Sequence, residues 1–171
     1  LILLAFFSSG ISQEILPLKS RAEIIDKIQK DRLDNLLPQL MSKSNLDMWV
    51  LIAREYNEDP VIKTLLPATW LNARRRTILV FSWDKETNVV ERVAITRYPF
   101  GKLIPSIWDK EKEPDQWKAL ADYITSKNPN KIGVNISEHF ALADGLVKTD
   151  YDGLKNALPE NYQTKIVSAE K

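Results

Sequence analysis

Cysteine is missing from this chain of 171 residues. Disulfides, thiolate nucleophiles and Cys-ligated zinc are therefore excluded, as is a lipid-modified cysteine anchor. Histidine occurs once, as His139. A zinc or dimetal centre needs three or four converging ligands, commonly with His among them, and Glu138-His139 does not supply such a set. Ser137 lies close by in sequence, and a Ser–His pair is conceivable there but not expected. Only 5 glycines are present, none in G-x-G spacing, which removes the Gly-rich loops that cradle phosphates. An excess of either charge is also missing: 24 basic against 23 acidic residues give a net charge of +1. Nucleic-acid binders usually carry a clear basic excess or stripe, and Arg74-Arg75-Arg76 is the one hint of it, so no nucleic-acid partner is expected. There is no internal repeat and no low-complexity tract.

What is present fits one α/β core. The composition is 44% hydrophobic and 27% charged, with length enough for one core and not for two. Leu1-Ile2-Leu3-Leu4-Ala5-Phe6-Phe7 is an uncharged apolar run, and Gly10 and Ser12 supply the small residues of a signal-peptidase site. The run is too short to span a bilayer, which takes about 20 residues. It reads as the remnant of a signal peptide over residues 1–12, with Gln13 as the mature N-terminus, rather than as a buried strand, because nothing polar alternates in it. The expected localisation is exported, periplasmic or secreted, with no membrane association after signal removal.

Hydrophobic spacing then sets out the elements. Ser20 and Glu23 form a capping-box pattern. Ile24, Ile25 and Ile28, then Leu33, Leu36, Leu37, Leu40 and Met41, have helical spacing, with a break expected at Pro38. Residues 48–53 are an unbroken apolar run, as for a central strand covered on both faces. Polar residues 54–59 follow, and Pro60 and Pro67 bracket a short helix. Residues 77–83 and 89–98 read as two strands joined by a polar hairpin, the second nearer an edge. A loop with prolines at 99, 105 and 114 leads to a helix opening on Pro114 and running to about Lys127, with Trp117, Leu120, Ala121 and Ile124 as its buried stripe. Ile132, Val134 and Ile136 alternate as a strand. Thr149 and Asp152 suggest a helix cap, Pro159 a stop, and residues 162–167 a last strand. Ser168-Ala169-Glu170-Lys171 reads as the start of a further helix. This order predicts an α/β fold with a mixed sheet of about five to six strands flanked by helices.

Two clusters stand out as a candidate interface or substrate rim. Arg54, Glu55, Tyr56, Glu58 and Asp59 follow the central strand, where α/β sheets tend to bind ligands. Arg74, Arg75 and Arg76 could clamp a carboxylate bidentately or could be the exposed lead-in to a strand. Trp70 and Trp108 lie in loops, where an aromatic marks an interface or folds back on its own domain. The residues singled out are Arg54, Glu55, Tyr56, Trp70, Arg74 and Arg75; no catalytic and no metal-binding residue is assigned. Asp109-Lys110-Glu111-Lys112-Glu113 reads as a solvated loop.

Three stretches carry a family resemblance. They are Asp47-Met48-Trp49-Val50-Leu51-Ile52-Ala53-Arg54-Glu55-Tyr56-Asn57-Glu58-Asp59-Pro60, then Leu66-Pro67-Ala68-Thr69-Trp70-Leu71-Asn72-Ala73-Arg74-Arg75-Arg76, and Lys131-Ile132-Gly133-Val134-Asn135-Ile136-Ser137-Glu138-His139-Phe140 with Ala143-Asp144-Gly145-Leu146. With the terminal Ser168-Ala169-Glu170, the chain resembles the N-terminal domain of exported Xaa-Pro aminopeptidase-like proteins of the creatinase/prolidase group. The resemblance implies a creatinase-type N-terminal domain at residues 13–167 and, at residues 168–171, the start of a linker helix to a "pita-bread" catalytic domain. In such a protein two divalent metal ions would sit in that second domain, on Asp, His and Glu ligands, and the peptide bond ahead of proline would be hydrolysed. None of those ligands maps onto this chain, for which no cofactor is expected. The implied partners are the catalytic domain, a second copy in a homodimer, and the parent's peptide substrate. Relatives that cleave creatine-like substrates or have lost catalysis carry the same domain. The different-class alternative is a free-standing periplasmic binding or interaction module.

N-terminal sequencing of the exported product is expected to begin at or near Gln13; a product retaining Leu1 would rule out the signal peptide. Titration with manganese or zinc is expected to find no stoichiometric submicromolar site on this chain, whose lone histidine and missing cysteine leave too few ligands.

Overall fold

A computed structural model describes residues 15–170. The expected signal segment and Gln13 lie outside the described residues. The chain runs through helix α1 (Leu18–Asp31), a π-helical turn (Arg32–Leu36), α2 (Leu37–Ser44), strand β1 (Met48–Arg54), α3 (Pro60–Leu65), β2 (Arg76–Asp84), β3 (Val89–Ala94), α4 (Gln116–Lys127) and β4 (Ile132–Val134). A short 3-10 turn (Ala141–Ala143), α5 (Lys148–Ala157), α6 (Glu160–Gln163) and β5 (Ile166–Ser168) complete it. The five strands form one mixed sheet in the order β3-β2-β1-β4-β5. β1 pairs antiparallel with β2 and β2 with β3, while β1–β4 and β4–β5 are parallel. The α/β class and the mixed, helix-flanked sheet expected from the sequence are therefore what the chain adopts.

The sheet divides the core of the domain into two layers, one on each face. Met48, Val50 and Ile52 of β1 join Ile78 and Val80 of β2 in one cluster with Leu120 and Ile124 of α4 and Leu154 of α5. Leu51 and Ala53 join Leu79 and Phe81 in the other, with Leu33, Leu37 and Met41 of the first helical layer and Phe100 and Ile104 of the long loop. Successive side chains of a strand point to opposite faces, so an unbroken apolar run is what a strand covered on both sides requires. β3 is an edge strand, as its alternating pattern suggested, and Val89 at its start is exposed. Its hairpin is fixed by Asp84, whose carboxylate accepts from the Glu86 N–H at 2.9 Å and the Thr87 hydroxyl at 2.7 Å, with Asn88 at φ 55°.

Several local expectations are corrected. α1 starts at Leu18 behind Pro17, so Ser20 and Glu23 lie inside the helix and form no cap. Its isoleucines face outward: Ile24, Ile25 and Ile28 are exposed, while Gln29 is buried and donates to the Leu66 carbonyl. The break before Pro38 is taken up by the π-helical turn, where the Leu37 N–H reaches back to the Arg32 carbonyl. Pro38 has no N–H to give, and placing it in the first turn of α2 removes the need for one. β3 stops at Ala94 rather than Tyr98, because the long loop returns to it: the Ala94 N–H donates to the Pro105 carbonyl at 2.8 Å. α4 opens at Gln116, capped by the Asp115 carboxylate on the Trp117 N–H, with Pro114 just outside. α5 opens behind Val147, which leaves Thr149 and Asp152 inside the helix. Tyr162 is in α6, and its buried ring fills the core where a strand was expected.

The helix expected from Ser168 does not start there. Ser168 is the last residue of β5, its hydroxyl donates to the Ile136 carbonyl, and the Ala169 N–H continues the pairing onto Val134. The strand pattern wins because that N–H finds a sheet partner before a helical turn could close.

Gly153 shows how tightly the helical layer is seated. A Cβ at this position of α5 would run into the indole ring of Trp117 on α4. Gly153→Val is therefore expected to lower stability by about 1–3 kcal/mol through overpacking, read as a fall in the denaturant midpoint at unchanged slope. An unchanged midpoint would mean that α4 and α5 do not pack through this contact.

Candidate functional site

The polar end of the sheet is built where β1 leaves the core and β2 enters it. Arg54 is the last residue of β1 and stands opposite Arg76, the first of β2. Both reach Asp150 of α5, which is 0% exposed. Arg54 forks onto it, Nε to Oδ2 and Nη2 to Oδ1, each at 2.9 Å, and Nη2 also donates to the Thr149 hydroxyl at 2.7 Å. The Arg76 Nε lies 3.4 Å from Oδ1 as an ion pair. Bidentate guanidinium–carboxylate pairing is a strong, directional contact. It also raises the proton affinity of the Arg54 guanidinium above its ordinary value. Arg76 stacks in addition over the Trp117 ring, 4.4 Å from its centroid. Arg54 thus serves first as a strut between sheet and α5.

Two tight turns face each other beyond this strut. Tyr56 and Arg75 both have left-handed backbones, with φ 67° and φ 50°. Positive φ is uncommon for side-chain-bearing residues and is held here by reciprocal bonds. The Glu55 N–H donates to the Arg75 carbonyl at 2.6 Å, and the Arg75 N–H donates to Glu55 Oε2 at 3.1 Å. The two clusters singled out in the sequence are therefore brought together, by backbone as well as side chain. Tyr56 projects into solvent at 84% exposure.

Asp59 has a different role from its neighbours. It is buried, and Oδ1 caps α3 by accepting from the Val61 and Ile62 N–H groups at 2.7 and 3.1 Å. Its Oδ2 accepts from Asn135 Nδ2 at 2.9 Å, and Asn135 Oδ1 in turn accepts from Trp49 Nε1 at 2.9 Å. This chain of buried bonds locks β1, α3 and the end of β4 together.

An open cleft of about 540 Å³ lies against the paired turns. Glu55, Trp70, Arg74, Arg75, Arg76 and Trp108 line it, together with Arg97, Tyr98 and Gln116, which the sequence does not mark as candidates. Arg74 lies over the Trp70 ring at 4.6 Å, and Trp70 meets Phe100 edge-on at 5.2 Å. Trp70 is thus half-buried against its own domain and only partly a surface aromatic. Trp108 is likewise tied back, its Nε1 donating to the Glu113 carbonyl at 2.8 Å. Gln116 closes the floor by donating to the Ile95 carbonyl at 2.6 Å and the Arg76 carbonyl at 3.2 Å. Arg97 and Tyr98 carry no site signal in the sequence, where residues 89–98 read as one continuous strand.

The His139 region is separate. Ser137 Oγ accepts from the His139 and Phe140 N–H groups at 3.0 and 2.8 Å, closing a local turn on an exposed loop. Among the described residues no group of three His, Asp or Glu side chains converges as a metal site. No helix among them is long and apolar enough to cross a membrane. No protein-family model, curated protein sequence or solved structure matches the chain.

Asp150→Ala is expected to destabilise the chain by about 3 kcal/mol, since it leaves the Arg54 and Arg76 guanidiniums side by side without their buried counter-charge. Arg54→Gln should cost less, about 1–2 kcal/mol, because Arg76 still reaches Asp150. Chemical denaturation of the two variants checks the order; equal and negligible losses would mean that the strut carries no stability.

Proposed function

We propose that this chain is the non-catalytic N-terminal domain of an exported Xaa-Pro aminopeptidase-like metallopeptidase. In this reading it helps the parent protein form a homodimer and shapes the approach to the active site of a following catalytic domain. Two divalent metal ions would belong to that domain and none to this one. The observation that carries the reading is the convergence of the three family-like stretches around β1. Trp49 and Asp59 from the first meet Asn135 from the third, and Glu55 from the first is bonded to Arg75 from the second. Segments that look unrelated along the chain are thus tied together around β1, and the first two form a rim at its carboxyl end, the place where open α/β sheets present ligands.

The rim has the composition of a contact surface. Tyr56, Arg74 and Arg75 are exposed, and Arg and Tyr are among the side chains that dominate protein interfaces. Its backbone is held by reciprocal hydrogen bonds, so docking need not order it. A free-standing binding module is the second reading, favoured by the cleft being lined by this chain's own residues.

In the full-length protein Arg75→Ala is expected to weaken the dimer or raise KM by tenfold or more, the effect of losing a well-packed anchor of about 2 kcal/mol. The isolated domain should change by no more than about 0.5 kcal/mol, because the Arg75 side chain is exposed. Trp70→Ala is a poorer probe, since its ring also packs on Phe100 and its loss will unsettle the domain itself. Unchanged assembly and KM in Arg75→Ala, measured by sedimentation and by Xaa-Pro peptide hydrolysis, would refute a contact role. A coding sequence that ends at Lys171 without Asp, His and Glu metal ligands beyond it would refute the peptidase reading and leave the module.

A further inference from the structure

The geometry points to an oxyanion-binding site in the cleft beside Arg74, Arg75 and Arg97, for a small ligand that carries a carboxylate or phosphate on a planar apolar body. This goes beyond the reading above and does not need a following domain. Four guanidinium groups line the cleft against a single carboxylate, that of Glu55. Arg76 is already committed to Asp150 and to the Trp117 ring. The Glu55 carboxylate accepts from the backbone N–H of Arg75 rather than from a guanidinium. Among the described residues, Arg74, Arg75 and Arg97 have no carboxylate within ion-pairing distance, although the chain pairs many of its other cations.

Such a grouping favours a counter-ion. Like charges gathered in one recess repel, and an anion bound among them would offset that repulsion. Arg75 is moreover held at φ 50°, a conformation that the Glu55 bonds maintain. Fixed strain and uncompensated charge at one place are the marks of a preorganised site. Guanidinium forks match carboxylate and phosphate oxygens geometrically. The remaining walls are aromatic: Trp70 is held in place by Arg74 and Phe100, Trp108 by its bond to Glu113, and Tyr98 stays 60% exposed. Tyr98 therefore offers a face for a flat ring, and the volume of about 540 Å³ falls within the range of small-molecule pockets.

The test uses this chain with phenyl phosphate, benzoate and neutral benzamide. Binding is read from tryptophan fluorescence and from the indole N–H resonances of Trp70 and Trp108. Saturable binding of either anion is expected, with benzamide at least about tenfold weaker and with affinity falling as salt rises. Tighter binding of phenyl phosphate would identify phosphate as the natural group, and tighter binding of benzoate a carboxylate. Arg74→Gln with Arg97→Gln should weaken binding at least about tenfold, while Arg97→Lys should keep part of it. Both arginines are exposed, and an unchanged melting temperature will confirm that the variants fold. Equal binding of benzamide, no saturable response to either anion, or full affinity in the folded double variant would each overturn the assignment.

Discussion

The double-sided burial of β1 is the constraint on which the rest of this structure depends. Its residues from Val50 to Ala53 are all buried, and they feed both layers of the core. A strand in that position must have helices or loops on both faces, which fixes the layered arrangement. It must also pass its polar residues to its end, since none can be tolerated within it. The abrupt change from Ala53 to Arg54 and Glu55 is therefore a consequence of packing before it is a sign of function.

That change would leave a buried edge beside charged groups if α5 did not meet it. Asp150 does so from a fully buried position, drawing Arg54 and Arg76 onto one carboxylate. Gly153, one turn further along α5, lets the Trp117 ring lie against the helix, and the same ring takes the Arg76 guanidinium. Sheet, α4 and α5 are thus joined at one corner by charge, stacking and close approach. The corner also sorts the arginines. Arg54 and Arg76 turn toward Asp150, and Arg74, Arg75 and Arg97 are left to the cleft.

The apolar stripe of α1 shows the opposite balance. Its isoleucines have helical spacing, yet the helix turns Gln29 and not Ile28 toward the body of the protein. Gln29 finds the Leu66 carbonyl there, and Leu33, Leu37 and Met41 beyond it fill the core. The π-helical turn adds a residue between the two halves and so rotates one stripe relative to the other. Periodicity locates a helix; it does not say which side of an irregular helix the fold uses.

By itself the sequence determined the elements whose signal is local and repeated. The buried run of β1, the polar hairpin after β2, the edge character of β3 and the end of α4 at Lys127 all follow from side-chain alternation, turn chemistry and stop signals that act within a few residues. It also marked Arg54, Glu55 and Tyr56 by the switch from apolar to polar, and Trp70, Arg74 and Arg75 as an aromatic and guanidinium groups set in a loop. Only the tertiary structure decided what those residues touch. Arg54 meets Asp150 across 96 positions, Trp49 meets Asn135 across 86, and Arg97 and Tyr98 reach the cleft only because the loop returning to Ala94 ends β3 early. Contacts of that range depend on how two separately folded segments close on each other. The strand expected at Tyr162 failed for the same reason: a local preference of about 1 kcal/mol is smaller than the gain from burying its ring.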